Sequence, residues 1–255
     1  MKVVWVTGGS SGIGFATAKK FLNNNWKVAI SSRRSENLIS AKNKILNNKD
    51  NKDNKELHIY KCDISNREQV KSTIEKITNE LGDIELAILN AAAYSPNKSQ
   101  DFMIENYEHL INVNLNGTLY CIESLIKKMT NNNGHIAIVS SPVGYRGLPT
   151  AGAYGLTKAG LINLGESLYF DLQKNNIKIS IINPGFIKSE STNLNSFKMP
   201  FLKSAEFAGE KIFNGLTGPY KFEIYFPWFF ILLLKIFRIL PYKIYFYLVK
   251  KITKL

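Results

Sequence analysis

A chain that opens Val3-Val4-Trp5-Val6-Thr7-Gly8-Gly9-Ser10-Ser11-Gly12-Ile13-Gly14 runs from an apolar stretch into a glycine-rich turn and restarts as a helix near Ile13. The order strand, turn, helix points to a fold built of βα units. Glycine at 8, 12 and 14 lets the backbone turn sharply and lets a ligand approach where a Cβ would stand. The helix behind the turn offers unpaired N–H groups and the positive end of its dipole, so the turn suits a pyrophosphate. Three glycines also describe an ordinary tight βα turn. Their place at the head of an alternating chain decides for the ligand-binding reading.

That alternation continues to residue 226. Residues 13–24 read as the first helix, and Trp26-Lys27-Val28-Ala29-Ile30-Ser31 as a strand buried on both faces. A helix over 36–47 and a polar loop to Lys55 lead to a strand at 57–61, a helix at 67–81 and a strand at 84–89. A long helical region over 103–129 contains Asn112-Val113-Asn114-Leu115-Asn116-Gly117, where asparagine and glycine cost roughly 0.5–1 kcal/mol each, so a bend or a functional polar group is expected. A strand at 135–140, a helix carrying Tyr154 and Lys158, a strand at 177–182, an irregular polar stretch at 189–204 with the composition of a lid, a helix from Ser204 and a strand at 222–226 follow. The expected class is α/β: a three-layer, Rossmann-like, doubly wound parallel sheet of about seven strands with a C-terminal helical extension.

Ligands of such sheets bind beyond the carboxyl ends of the strands. The second strand ends in Ser32-Arg33-Arg34, with no acid to take a ribose 2′-hydroxyl; arginine there accommodates a 2′-phosphate, which favours NADP(H) over NAD(H). The competing reading is a solvated Arg pair opening a helix. After the third strand, Asp63 is placed to bind an adenine amino group, to cap the next helix, or both. The fourth strand ends in the small residues Asn90-Ala91-Ala92-Ala93, which leave room for a ligand. Tyr154 and Lys158, four apart, share a helical face, and Ser141 converges from a strand end. A phenol of pKa near 10 beside an ammonium is expected to be acidified, with the serine holding a carbonyl oxygen that the tyrosine protonates as a nicotinamide delivers hydride.

With these residues in view, the chain closely resembles the short-chain dehydrogenase/reductase family from Lys2 to about Phe226. Thr7 to Gly14 looks like its cofactor motif, with Gly8, Ser10, Ser11, Gly12, Ile13 and Gly14 as cofactor contacts, and Asn90-Ala91-Ala92 resembles its Asn-Ala-Gly motif. The resemblance implies that Asn114 bends the long helix and holds a water linked to the lysine. It further implies that Ser141, thirteen residues before Tyr154, is the catalytic serine, Tyr154 the acid/base, and Lys158 its partner on the nicotinamide ribose. Arg33, with Arg34 beside it, matches the arginine of NADP-preferring members, and Asp63-Ile64 falls in the adenine-binding position. Asn183-Pro184-Gly185-Phe186-Ile187 resembles the segment along the nicotinamide. Two departures stand out: Ala92 replaces the usual glycine and must avoid positive φ, and Ser189 replaces a threonine while keeping a hydroxyl. No metal is expected.

At 255 residues the chain fits one globular core, read as a catalytic unit over 1–226 and a tail over 227–255. Cys62 and Cys121 are too few and too ill-placed for a disulfide framework, which suits a reducing compartment, and no secretion signal is read at the N-terminus. The formal charge of +13 could serve nucleic acid, an anionic membrane or a phosphate-bearing cofactor. From Trp228 onward there are six Lys/Arg and no Asp or Glu. Its longest uncharged stretch, 224–234, is too short to span a bilayer. In the second tail segment Lys243, Tyr247, Lys250, Lys251 and Lys254 repeat at helical spacing opposite Ile244, Leu248, Val249, Ile252 and Leu255. That is the pattern of a basic amphipathic helix on an anionic membrane surface. The alternative is a cover for the substrate cleft or a subunit interface; no nucleic-acid motif accompanies the charge.

The expected protein is therefore a cytoplasmic, homo-oligomeric, NADP(H)-dependent reductase of a ketone or aldehyde, or the reverse alcohol dehydrogenase. Its substrate is a small molecule, apolar if the aromatic tail bears on it, and a peripheral position on the inner face of a membrane is expected for the tail. The rival is a non-catalytic NADPH-binding sensor of the same fold.

Overall fold

In the computed structural model, which describes residues 1–47, 56–96, 102–129, 132–195 and 199–253, strand β1 (Val3–Thr7) is buried along its whole length. Its side chains alternate between two cores, Val3 and Trp5 facing one and Val4 and Val6 the other. Both faces of the sheet are covered, which is why the strands read as unbroken apolar runs. Trp5 is fully buried and its indole N–H donates to Ser31 Oγ at 3.0 Å, so the burial leaves no polar atom unpaired.

The remaining strands are β2 (Lys27–Ser32), β3 (Leu57–Lys61), β4 (Ile84–Leu89), β5 (His135–Val139), β6 (Lys178–Pro184) and β7 (Glu223–Phe226). They form one seven-stranded sheet, ordered β3-β2-β1-β4-β5-β6-β7, with every neighbouring pair parallel. The expected fold class is what the chain adopts. Strand order reverses between β1 and β4, and a crevice at that switch point is the usual ligand site of such a sheet. Helices α1 (Gly12–Leu22), α2 (Ser35–Leu46) and α7 (Ala205–Thr217) cover one face. The other face carries α3 (Arg67–Leu81), α5 (Gly117–Met129) and α6 (Gly152–Gln173). Element ends fall within a residue or two of the sequence reading; β6 runs on through Asn183 and Pro184.

The long helical region is not one helix. It consists of α4 (Ile104–Leu110), a π-helical stretch Ile111–Asn116, and α5. A π stretch accommodates an extra residue per turn and is frequent at functional sites. It contains Asn114, which is 1% exposed.

Residues 227–253 fold back onto the same chain as α8 (Trp228–Ile239) and α9 (Tyr242–Thr253). The Arg146 guanidinium donates to three carbonyls at the turn between them, Phe237 at 2.6 Å, Arg238 at 3.3 Å and Leu240 at 2.7 Å, and lies 3.9 Å from the Tyr245 ring centre. Tyr245 donates to Gly147 O at 2.5 Å, and Lys235 pairs with Glu223, which also accepts from Tyr145. Arginine at a helix C-terminus meets otherwise unpaired carbonyls and the negative dipole end. The division of α9 into faces differs from the sequence reading: Tyr245 and Val249 are buried, whereas Ile244 and Ile252 are exposed. The core claims the stripe that packs under Arg146, and this stripe is offset from the one the lysine spacing implied. Lys254 and Leu255 lie outside the described residues.

Candidate active site

The glycine-rich turn is held open by backbone geometry and by the strand beside it. Gly8 and Gly12 have φ of +65° and +54°, conformations that a side chain opposes. A Cβ on Gly14 would stand 2.3 Å from Gly8 O and 2.5 Å from Asn90 Nδ2, so only glycine lets α1 start this close to the turn. Asn90 Nδ2 donates to Thr7 O at 3.0 Å and Gly8 O at 3.3 Å, while Thr7 Oγ1 accepts from the amides of Asn90 at 2.9 Å and Ala91 at 3.0 Å. Ser11 is the N-cap residue of α1, but its side chain makes no capping bond, so the first amides of the helix keep their donors for another acceptor. Ser10 and Ile13 are half-buried at the same mouth, and Gly12 faces Ser189, whose Cβ is 3.4 Å from where a Cβ on Gly12 would lie. The turn has the backbone concavity, exposed amides and missing side chains that a dinucleotide pyrophosphate requires.

Farther along the strand ends, Arg33 is exposed and has no hydrogen-bond or ionic partner among the described residues. Arg34 is the N-cap residue of α2, and its guanidinium is within 2.8–3.0 Å of the Asn37 side-chain amide, whose oxygen accepts once the amide is oriented to suit. Asp63 does not cap α3. Asn66 does, accepting from the Gln69 amide, and Asp63 Oδ1 instead accepts from Ser65 N at 3.0 Å and Ser65 Oγ at 2.6 Å. The shift follows from sequence distance: α3 begins at Arg67, too far from Asp63 for its carboxylate to meet the helix's first amides. Ile64 is buried, its side chain packed 2.9 Å from where Gly117 would carry a Cβ.

Tyr154, Lys158 and Asn114 come together beyond the ends of β4 and β5, and Ser141 opens the loop that packs on α6 beside them. Ser140 Oγ donates to Lys158 O at 2.9 Å, and a Cβ on Gly144 would lie 2.7 Å from that same carbonyl, so the loop after β5 is packed directly on α6. Ser141 begins that loop, its hydroxyl accepting from Val143 N at 3.4 Å. Lys158, 2% exposed, donates through Nζ to Val139 O at 2.9 Å and sits 5.4 Å from the Tyr154 ring centre. The Tyr154 hydroxyl makes no hydrogen bond to a described residue. Asn114 Oδ1 accepts from Ala93 N at 2.7 Å and its Nδ2 donates to Ala93 O at 3.0 Å and Thr157 Oγ1 at 3.2 Å, tying the π stretch to the end of β4 and to α6. At Ala92 the backbone is outside the left-handed region, as alanine requires.

The electrostatics differ from the expectation of an acidified phenol. Burial pushes the Tyr154 hydroxyl well above its usual 10, and burial lowers the Lys158 ammonium to about 8. The lysine is anchored on the Val139 carbonyl and faces the ring, so its charge does not offset the desolvation of the phenol.

This has a measurable consequence. An unfolded lysine, with a pKa near 10.4, keeps its proton at pH values where the folded one has released it. Unfolding therefore takes up a proton above about pH 8, and stability rises with pH from there toward pH 10. The ligand-free protein is expected to gain about 2 kcal/mol over that interval relative to Lys158→Met. Denaturant titrations of both at several pH values check this; a difference independent of pH would contradict it.

Beyond β6, Gly185 N donates to Phe226 O at 2.8 Å, and Pro184 ends the strand beside it. Ile187 is buried and bridges Lys203. Ser189 and Thr192 form a small hydroxyl cluster, with Thr192 Oγ1 accepting from Ser189 N at 2.9 Å. The stretch over 189–204 is irregular, with one short 3₁₀ turn, Thr192–Leu194; residues 196–198 lie outside the described residues. Sequence reasoning missed Tyr94, whose ring meets Tyr154 edge-on at 4.9 Å and whose hydroxyl donates to Asn195 Oδ1 at 2.5 Å. It missed Thr7 as a brace and Arg146 as the anchor of the tail. An aromatic directly after a run of small residues at a strand end was the available signal for Tyr94; nothing local marked Arg146.

Residues 2–198 match the family described as short chain dehydrogenase. An uncharacterized oxidoreductase of Myxococcus xanthus is 30% identical over 240 residues, covering 92% of this chain and 91% of that protein. Carbonyl reductase family member 4 of Xenopus laevis is 32% identical over 200 residues, 75% of this chain and 78% of that one. The solved structure of ElxO with NADP bound superposes with a TM-score of 0.78 at 26% identity, over 88% of this chain and 97% of that one. The chain belongs to the short-chain dehydrogenase family, and with it to the NAD(P)-dependent dehydrogenases and reductases.

Proposed function

We propose that the protein is an NADP(H)-dependent carbonyl reductase in which Tyr154 exchanges the proton. The observation that carries this reading is the gathering of Ser141, Tyr154 and Lys158 at one end of the sheet that also holds the braced glycine turn. When bound, the nicotinamide supplies hydride. The chain supplies position and the proton: Ser141 holds the carbonyl oxygen, and Tyr154, a neutral phenol at pH 7 like any tyrosine, donates to that oxygen. Lys158 fixes the phenol's surroundings and is the residue for the nicotinamide ribose; Asn114 holds the end of β4 against α6. For the cofactor, Gly8, Ser10, Ser11, Gly12, Ile13 and Gly14 form the pyrophosphate cradle, Arg33 and Arg34 the 2′-phosphate end, and Asp63 and Ile64 the adenine side. Asn90, Ala91, Ala92, Pro184, Gly185, Ile187 and Ser189 line the nicotinamide side. A homo-oligomer fits the exposed Leu119, Leu156 and Phe170 of α5 and α6. The reading extends to a cytoplasmic enzyme associated with a membrane surface; no helix among the described residues is long and apolar enough to cross one.

NADPH oxidation against a panel of ketones and aldehydes tests it. Turnover with at least one of them is expected, and tight NADPH binding without turnover would favour a sensor instead. Replacing Arg33 by aspartate is expected to shift the kcat/KM ratio from NADPH toward NADH by about ten- to a hundredfold, the worth of a charge-assisted hydrogen bond. An unchanged ratio would remove Arg33 from cofactor choice.

A further inference from the structure

The two sides of α8 have different surroundings. Its inner side is engaged with the chain: Ile231 is fully buried, and the Phe230 ring lies 5.7 Å from those of Phe186 and Phe201. A Cβ on Gly185 would come within 3.1 Å of that same Phe230 ring, so α8 packs against the segment assigned above to the nicotinamide. Its outer side carries Trp228, Phe229, Leu232, Leu233, Ile236 and Ile239, all exposed, with Trp228 at 66% and Ile239 at 81%. At 100° per residue these six fall within one contiguous arc of the helix. An apolar face this continuous marks an interaction surface.

The charges on the tail select the partner. Lys235 is spent on Glu223, but Arg238, Lys243, Lys250 and Lys251 are exposed, and no acid occurs after Trp228. A second copy of the chain, meeting this surface by two-fold symmetry, would set like charges against like. An anionic bilayer offers both an apolar interior for the α8 face and negative headgroups for the cations. Each helix has 12 residues and so is about 18 Å long, well short of the roughly 30 Å hydrocarbon core; the pair is suited to lie in the interface.

We propose that the outer face of α8, with the cations of α8 and α9, seats the protein on an anionic bilayer, and that its carbonyl substrate is a bilayer-dissolved, long-chain compound. The substrate part rests on the reductase reading above; the seating part does not. One helix then faces the membrane on one side and packs against the nicotinamide segment on the other, which sets the reacting end of the site about one helix diameter, roughly 10 Å, from the bilayer.

The test uses the full chain with NADPH. Deleting the tail would strip Ile231 and Tyr245 from the core, so surface substitutions are the better probe. Co-sedimentation is expected with phosphatidylglycerol-containing vesicles, much weaker with pure phosphatidylcholine, and weakened by salt. Lys243→Gln, Lys250→Gln and Lys251→Gln together are expected to weaken anionic-vesicle binding roughly a hundredfold, and Leu233→Gln with Ile236→Gln at least about tenfold. Both variants are expected to reduce a short water-soluble ketone at the wild-type rate but to show a raised KM for a long-chain ketone dissolved in the vesicles. Equal vesicle binding by wild type and variants would overturn the seating, as would a concentration-dependent dimer that the Leu233 and Ile236 changes abolish. Undiminished turnover of the vesicle-borne ketone by variants that no longer bind vesicles would overturn the substrate class. A wild type that binds vesicles and reduces neither ketone would count against the reductase reading and leave the seating standing.

Discussion

Tyr154→Phe is expected to slow carbonyl reduction by about 10²–10⁴-fold, the usual worth of a positioned general acid, while NADPH affinity and thermal stability stay unchanged. The separation is expected because the hydroxyl makes no hydrogen bond to a described residue, whereas the ring has two neighbours that phenylalanine keeps. Tyr94 meets it edge-on at 4.9 Å, and the Lys158 ammonium lies 5.4 Å from its centre. Removing the oxygen therefore removes the proton source and little else. Steady-state turnover with a responsive ketone, beside a fluorescence titration of NADPH, reads both quantities. Full turnover by the phenylalanine variant would withdraw the acid role from Tyr154.

The second large effect lies at the turn. A Cβ at Gly14 has no space, being 2.3 Å from Gly8 O and 2.5 Å from Asn90 Nδ2, and both of these belong to the brace between β1 and β4. Gly14→Val is expected to abolish measurable NADPH binding and to destabilise the fold by about 1–3 kcal/mol, as overpacking of a filled site does. Because such a variant can fail simply by folding poorly, Ser11→Asp is the sharper companion. Aspartate is a good N-cap and favours the positive end of α1, so stability is expected to hold or rise. The same charge opposes an incoming pyrophosphate, so NADPH affinity is expected to fall by at least about tenfold. Calorimetric unfolding and NADPH titration on one preparation would show the two quantities moving in opposite directions. An affinity unaffected by Ser11→Asp would place the dinucleotide elsewhere.

Much of this arrangement could be read from the sequence because it is written in local pattern. The turn at Gly8 to Gly14, the four-residue spacing of Tyr154 and Lys158, and the apolar strand runs each declare themselves within a dozen residues. What escaped depends on distant partners. Arg146 looks like any polar loop residue until the C-terminal end of α8 presents carbonyls 91 to 94 residues later. The cost of Asn114 and Gly117 within a helix signalled an irregularity, but not that it takes the form of a π stretch whose Asn114 bonds to Ala93 and Thr157. The upward shift at Tyr154, where the spacing to Lys158 implied a downward one, has a related reason. Charge proximity can be inferred from spacing, whereas desolvation depends on everything packed around the pair.

The bonds from Thr7 and Asn90 to the turn have one more consequence. The amides of Asn90 and Ala91 both reach Thr7 Oγ1, and the Asn90 side chain holds the carbonyls of Thr7 and Gly8, so the cradle is preorganised by a strand more than eighty residues away in the chain. A dinucleotide seated there, as proposed above, would meet a cradle already ordered and would have little conformational entropy to freeze out.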